Sequence, residues 1–169
     1  ILYEVPHRIF NHTQRSLTMN AAKVKPEPAI TTVTPRKIRI LKIATCSTLS
    51  ESAQLTYHVG ATSEGEIFFR VWKNTGAGFF SREWISINSI KQASDTVAAD
   101  KPITSEILRN IFLGRSENNR SFYFAVLKQE GFVQASVIDV RCYDRIEPTT
   151  FMAEIEALIK SDISLDADA

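Results

Sequence analysis

The spacing of apolar residues changes near residue 104, and this change constrains the fold more than any other feature of the sequence. Between residues 38 and 73 apolar residues tend to alternate with polar ones, most clearly at Leu55, Tyr57 and Val59. This alternation is typical of half-buried strands. From residue 104 to 127 the apolar residues recur every three or four positions, as they do along one face of a helix. The sequence therefore predicts an α+β fold in which an antiparallel sheet precedes the helices.

Three strand-like segments and their flanking regions define a predicted domain over residues 37–160. The segments cover residues 38–43, 55–59 and 66–73, and turn-forming residues separate them, so we expect an antiparallel meander. A short strand over 84–87, a brief helix that ends at Ala93 and strand character over 132–143 are also predicted. Residues 1–36 are predicted to be a flexible basic arm, and residues 161–169 an acidic disordered tail.

Two apolar sets with a polar joint between them predict a helical pair. The first set ends at Gly114 and the second at Gly131, while residues 115–120 contain no apolar side chain. A strand is expected after the second helix, an order of elements that also occurs in winged-helix domains. A last amphipathic helix, introduced by Pro148, is predicted to end the domain.

The charges of the chain are unevenly distributed. Residues 1–42 contain eight Lys or Arg against two Glu, residues 43–143 contain ten of each sign, and residues 144–169 contain two basic and seven acidic residues. A basic arm can contact phosphates. Alternatively, both charged ends are simply solvated.

The start of the second predicted helix carries the main functional hypothesis. Arg115, Asn118, Asn119 and Arg120 lie there, and Lys37 belongs to the basic region. Arg can bridge guanine and Asn can bridge adenine by paired hydrogen bonds. These five residues are therefore the predicted nucleic-acid-binding site of a small DNA-associated regulator or accessory protein.

A protein-interaction module without nucleic-acid binding is the alternative function. Its partner would bind to an aromatic surface of the sheet. Aromatic residues on alternating strands are, however, more often part of a core. Salt dependence distinguishes the two functions, because DNA binding through several phosphates weakens steeply with salt. The aromatic set is Tyr57, Phe68, Phe69, Trp72, Phe79, Phe80 and Trp84.

Sequence motifs for catalysis, cofactors or metals are not found, so the sequence favours a binding protein without cofactor over an enzyme. It has neither a phosphate-binding loop nor a dinucleotide fingerprint. His58 is predicted to lie on the solvated face of its strand, and Cys46 and Cys142 are predicted to be free thiols in apolar surroundings. These thiols fit a reducing, cytoplasmic compartment. No apolar run approaches the roughly 18 residues that cross a bilayer, so we expect no membrane partner.

Overall fold

An antiparallel sheet of four strands forms the first half of the structure, a computed structural model that describes residues 37–167. The strands lie side by side in sequence order, and the pairs Ile43–His58 and Phe69–Ile85 illustrate their register. This arrangement confirms the predicted meander, while the predicted arm over residues 1–36 lies outside the described residues. The strands are β1 (Arg39–Ser47), β2 (Gln54–Ala61), β3 (Ile67–Asn74) and β4 (Ile85–Ser86).

The alternation along the central strands places their large apolar side chains in one core. Leu55, Tyr57 and Val59 of β2 are buried, and so are Phe69 and Val71 of β3. Successive side chains of a strand point to opposite faces, so these five residues share the face that the helices cover. The hydrophobic core therefore lies between this face of the sheet and the helices.

Among residues 37–167, three α-helices cover that face, and one short 3-10 helix packs against two of them. The helix α2 (Asn118–Gln129) is central, because the six consecutive residues 122–127 are all buried within it. The C-terminal helix α3 (Thr149–Lys160) packs through Phe151, whose ring centroid lies 5.5 Å from that of Phe69. The α+β class with a C-terminal helix is thus confirmed. The helices are α1 (Ile87–Ser94), α2 (Asn118–Gln129) and α3 (Thr149–Lys160), and the 3-10 helix covers Ser105–Leu108. Among residues 37–167, no helix combines the length and apolarity needed to cross a membrane.

The first member of the predicted helical pair is shorter than its apolar spacing suggests. It consists of the 3-10 helix and a series of turns that continues to Gly114. Its backbone bonds mostly join residues three apart, for example from Arg109 N to Glu106 O (3.0 Å). Apolar residues spaced by three and four positions fit both kinds of helix. The spacing therefore predicted which residues are buried here, such as Leu108, but not the type of helix.

A two-stranded hairpin follows α2, where the sequence predicted strand character over residues 132–143. Its strands β5 (Val133–Ala135) and β6 (Tyr143–Arg145) pair in antiparallel orientation, and Ile103 forms a further bridge to Tyr143. Residues 136–142 form a loop between them instead of continuing the strand. The Asp139 side chain accepts a hydrogen bond from Arg141 N (2.9 Å), which turns the chain at this point.

The residues after α3 contact the beginning of β1. The Arg39 guanidinium donates to Ile159 O (2.8 Å) and Ser161 O (2.6 Å), and Leu165 N donates to Ile40 O (2.9 Å). These bonds hold the first residues of the predicted acidic tail, up to Leu165, against the edge of the sheet. The domain boundary at residue 160 stays a prediction.

Candidate interaction site

Asn119, one of the predicted DNA-contacting residues, is buried inside the fold. Its side chain accepts a hydrogen bond from Ser81 N (3.0 Å) and donates one to Ser81 Oγ (2.8 Å). A buried amide needs such partners, because leaving it unpaired costs about 1–3 kcal/mol. Asn119 therefore fastens the loop that follows β3 to the start of α2.

Arg120 is likewise engaged within the protein. Its guanidinium forms ion pairs with Glu106 (2.7 Å) in the 3-10 helix and with Glu117 (2.8 Å) before α2. Only 11% of the side chain is exposed. A DNA base would have to compete with both carboxylates for this guanidinium.

Arg115 and Asn118 remain accessible at the same helix start. The Arg115 side chain is half exposed and pairs with Glu83 (2.7 Å), while Asn118 Nδ2 donates to Phe79 O (3.1 Å). Both contacts lie at the protein surface, where an ion pair contributes little and exchanges easily with other partners. These two residues are the part of the predicted site that the structure leaves available.

Lys37 does not join the helix start. Asn118 and Thr48 line the same polar depression, and Thr48 directly follows the C-terminal end of β1. Lys37 lies before the N-terminal end of the same strand. A strand of nine residues spans about 30 Å at about 3.3 Å per residue. The structure therefore places Lys37 and Asn118 at opposite ends of the sheet.

The helix α2 itself offers little surface to a DNA groove. Eight of its twelve residues are buried, and its two exposed residues, Lys128 and Gln129, lie at its C-terminal end. Residues 37–167 contain fifteen Lys or Arg against sixteen Asp or Glu, so this part of the chain is close to neutral. A groove-reading helix needs a free face and a basic surround. DNA binding through this helix start stays a prediction.

The prediction that His58 faces solvent is wrong. Its ring is 0% exposed and packs against Trp72 and Trp84, with centroid distances of 5.3 and 6.4 Å. The Arg70 guanidinium lies 4.5 Å from the Trp72 ring centroid and 4.4 Å from that of Trp84, and Arg82 lies 4.4 Å from Trp72. The alternation correctly predicted that His58 and Tyr57 point to opposite faces of the sheet. His58 is nevertheless buried, because Trp72 and Trp84, which stack with guanidinium groups, cover it on the second face.

The aromatic residues of the alternative hypothesis thus serve mainly the fold. Tyr57 and Phe69 are core residues, and the two tryptophans contact guanidinium groups. Phe80 packs edge-on against Phe122 with a centroid distance of 5.8 Å. Phe79, also a member of the aromatic set, is 91% exposed. Trp72 and Trp84 are half-buried, and their rings stack against the guanidinium groups of Arg70 and Arg82.

The loop of the β5–β6 hairpin carries the most exposed aliphatic side chains. Val137, Ile138 and Val140 are 97%, 84% and 92% exposed, and we call these three residues the aliphatic tip. Bonds from Ser136 N to Cys142 O (3.0 Å) and from Cys142 N to Asp139 O (2.9 Å) order the loop. The β-branched side chains of the tip indicate a strand, so their pattern does not predict an exposed loop. Asp139 lies between Ile138 and Val140, and Asp is a typical turn residue, so it is the residue that could have indicated a loop here.

An open cavity of about 350 Å³ lies at the base of the same hairpin, and we call it the base groove. Its walls are mainly apolar, with Ile107, Phe132 and Met152 among them, and Asp95 and Glu147 lie at its rim. The Arg145 guanidinium donates to Ser94 O (2.8 Å), Val97 O (3.0 Å) and Lys101 O (2.9 Å), and these bonds attach the chain after α1 to β6.

The two thiols differ in accessibility, and they are predicted to differ in reactivity. Burial, with a contribution from the Glu130 carboxylate, raises the pKa of Cys46 to about 11. Desolvation and the Asp139 carboxylate also raise the pKa of Cys142, but this thiol is partly exposed beside the aliphatic tip. Because the thiolate is the reactive form, we expect a thiol reagent at about pH 8 to modify one thiol per chain quickly. The second should react only after unfolding. Cys142→Ser should abolish the fast phase, and a fast phase that survives this change would contradict the assignment.

Comparisons with protein-family models, with curated proteins and with solved structures gave no match for this chain. Within residues 37–167, no group of three or more His, Cys, Asp or Glu side chains is placed to hold a metal ion. The β5–β6 hairpin carries an exposed aliphatic tip in its loop and an apolar groove at its base.

Proposed function

We propose that this protein is a non-enzymatic protein-interaction module and that the aliphatic tip is its contact surface. The observation that carries this proposal is the exposure of all three tip residues, each above 80%, on an ordered loop. Scattered exposed apolar residues are common, but a cluster on one projection is typical of a protein contact. Burying one such side chain contributes about 1.5–3 kcal/mol.

The hydrogen bonds of the loop support the proposal. Ile138 N donates to Ser136 Oγ (3.3 Å), and the Asp139 carboxylate accepts from Arg141 N (2.9 Å), so the tip is held in shape before a partner arrives. A preformed contact loses less conformational entropy on binding. The tip can therefore act as a rigid aliphatic anchor.

DNA association through the helix start is the second candidate function. Arg115 and Asn118 are accessible at the start of α2, and both side chains have suitable donors for phosphates or bases. The near-neutral charge of residues 37–167 means that phosphate contacts would depend on the basic region before them.

Photo-cross-linking tests the interaction module. Val137 is replaced by benzoylphenylalanine in one variant and Ser63, in the exposed turn after β2, in a matched control. We expect discrete cross-linked protein bands from position 137 only. These bands should persist at about 0.5 M salt, because apolar contacts are not screened. Adding Ile138→Ser to the same chain should remove them.

A DNA titration decides between the two candidates. Fluorescence anisotropy is measured with random duplex and single-stranded DNA at about 50 mM and about 200 mM salt. Binding that falls steeply with salt and is weakened by Arg115→Ala, together with equal cross-linking at positions 137 and 63, would overturn the interaction module in favour of DNA association.

A further inference from the structure

We propose that the partner of the aliphatic tip is a second copy of this chain, whose base groove receives it. This inference rests on the proposed function and adds the identity of the partner. In the resulting dimer each copy inserts Val137, Ile138 and Val140 into the groove of the other. Such a reciprocal contact is an isologous interface with a two-fold axis.

The groove and the tip match in chemistry and in size. The groove walls include Ile87, Ile107 and Met152, side chains that gain most from an aliphatic occupant. Its volume of about 350 Å³ lies at the small end of the range for ligand cavities. That volume suits a few aliphatic side chains better than a large cofactor.

The hairpin carries the tip at one end and the groove at the other, so the tip of one copy can reach the groove of a second copy. Phe132 and Val133 enter the hairpin and Arg145 and Ile146 leave it, and all four line the groove. The tip lies at the opposite end, in the loop between the two strands. When two hairpins lie antiparallel, the tip of each is beside the base of the other. A single two-fold axis therefore fills both grooves at once.

Charges at the two ends of the hairpin are also complementary. Arg141 follows the tip directly, its side chain is 86% exposed, and it reaches Asp139 only at 3.5 Å. Asp95 and Glu147 line the groove together with the exposed Lys91, and neither carboxylate forms an ion pair within residues 37–167. In the antiparallel arrangement Arg141 of one copy approaches Glu147 of the other, twice per dimer. Such rim charges set the register of an interface.

Sedimentation velocity of the full chain, from about 1 to about 100 µM, tests the dimer. We expect reversible association that Ile138→Asp on the tip and Ile146→Asp in the groove each weaken at least tenfold. Leu113→Asp is the matched control, since Leu113 is a strongly exposed aliphatic residue outside both surfaces, and this variant should associate like the unchanged chain.

A charge exchange tests the register of the dimer. Arg141→Glu and Glu147→Arg should each weaken association severalfold, because each places like charges opposite one another. The double variant should recover most of the loss, which no effect on folding alone would produce. Circular dichroism of each variant checks that the fold is retained.

The outcomes separate this inference from the proposed function. A chain that stays monomeric at every concentration, while position 137 still cross-links to a different protein, overturns the dimer and leaves the interaction module standing. Absence of both association and cross-linking overturns both. A dimer that Ile138→Asp and Ile146→Asp leave unchanged overturns the assigned surfaces.

Discussion

Replacing Phe69 with Ala is expected to lower the free energy of unfolding by about 3–5 kcal/mol, the range for deleting a fully buried aromatic ring. Phe69 is 1% exposed, and its ring centroid lies 5.8 Å from that of Phe132 and 5.5 Å from that of Phe151. One ring thus joins the sheet, the entrance of the hairpin and α3. Because small domains have a total stability of about 5–15 kcal/mol, this single change removes a large part of it.

Phe79→Ala is the matched control for this prediction. Phe79 is the same residue type and is 91% exposed, so its removal should change the unfolding free energy by no more than about 0.5 kcal/mol. Urea denaturation followed by tryptophan fluorescence measures both variants. Equal losses in the two variants would show that the core is not organised around Phe69.

Glu130→Ala is expected to lower the unfolding free energy by about 3 kcal/mol. The Glu130 carboxylate is buried at the end of α2, accepts a hydrogen bond from the Tyr57 hydroxyl and pairs with Lys42 (3.1 Å). Its removal leaves the Tyr57 hydroxyl without an acceptor in the core and leaves Lys42 with Glu154 (2.9 Å) alone. Glu156→Ala, on the exposed side of α3, is the control and should be nearly neutral.

The cost of Glu130→Ala should decrease at alkaline pH. Burial lowers the pKa of Lys42, but the hydrogen bonds from Lys42 to Glu154 and Glu130 outweigh burial and raise it above 10.5. A raised lysine pKa stabilises the folded state below the unfolded value, and this contribution is lost as the pH rises through the folded value. The difference between the two chains should therefore stay constant from about pH 7 to about pH 9 and shrink above about pH 10.5. A difference that shrinks below pH 9 would contradict this assignment.

Local sequence patterns predicted the sheet well because they depend on one strand at a time. The alternation of Leu55, Tyr57 and Val59 located β2 and its core face, and the aromatic run before Lys73 located β3. The apolar face around Phe151 and Ile155 likewise located α3. In each case the side-chain period follows directly from the backbone geometry of the element.

The candidate site could not be predicted in the same way. From the sequence, Asn119 and Arg120 were expected to be accessible at the start of a helix. In the structure, Asn119 hydrogen-bonds to Ser81 in the loop after β3, and Arg120 forms an ion pair with Glu106 in the 3-10 helix. Val137 and Ile138 looked like strand residues, and the turn at Asp139 exposes them. Partners distant in sequence decide the environments of Asn119 and Arg120, whereas a local turn decides the exposure of Val137 and Ile138.

By itself, the sequence determined the α+β class, the order of the strands and helices and most of the core, because periodicity and turn chemistry are local properties of the chain. Only the tertiary structure decided which polar side chains form hydrogen bonds and ion pairs within the protein, which residues cover His58, and where apolar side chains remain exposed. Burial is the physical reason: whether a side chain meets water depends on what packs against it, and at His58, Asn119 and Arg120 much of that packing comes from residues distant in the chain.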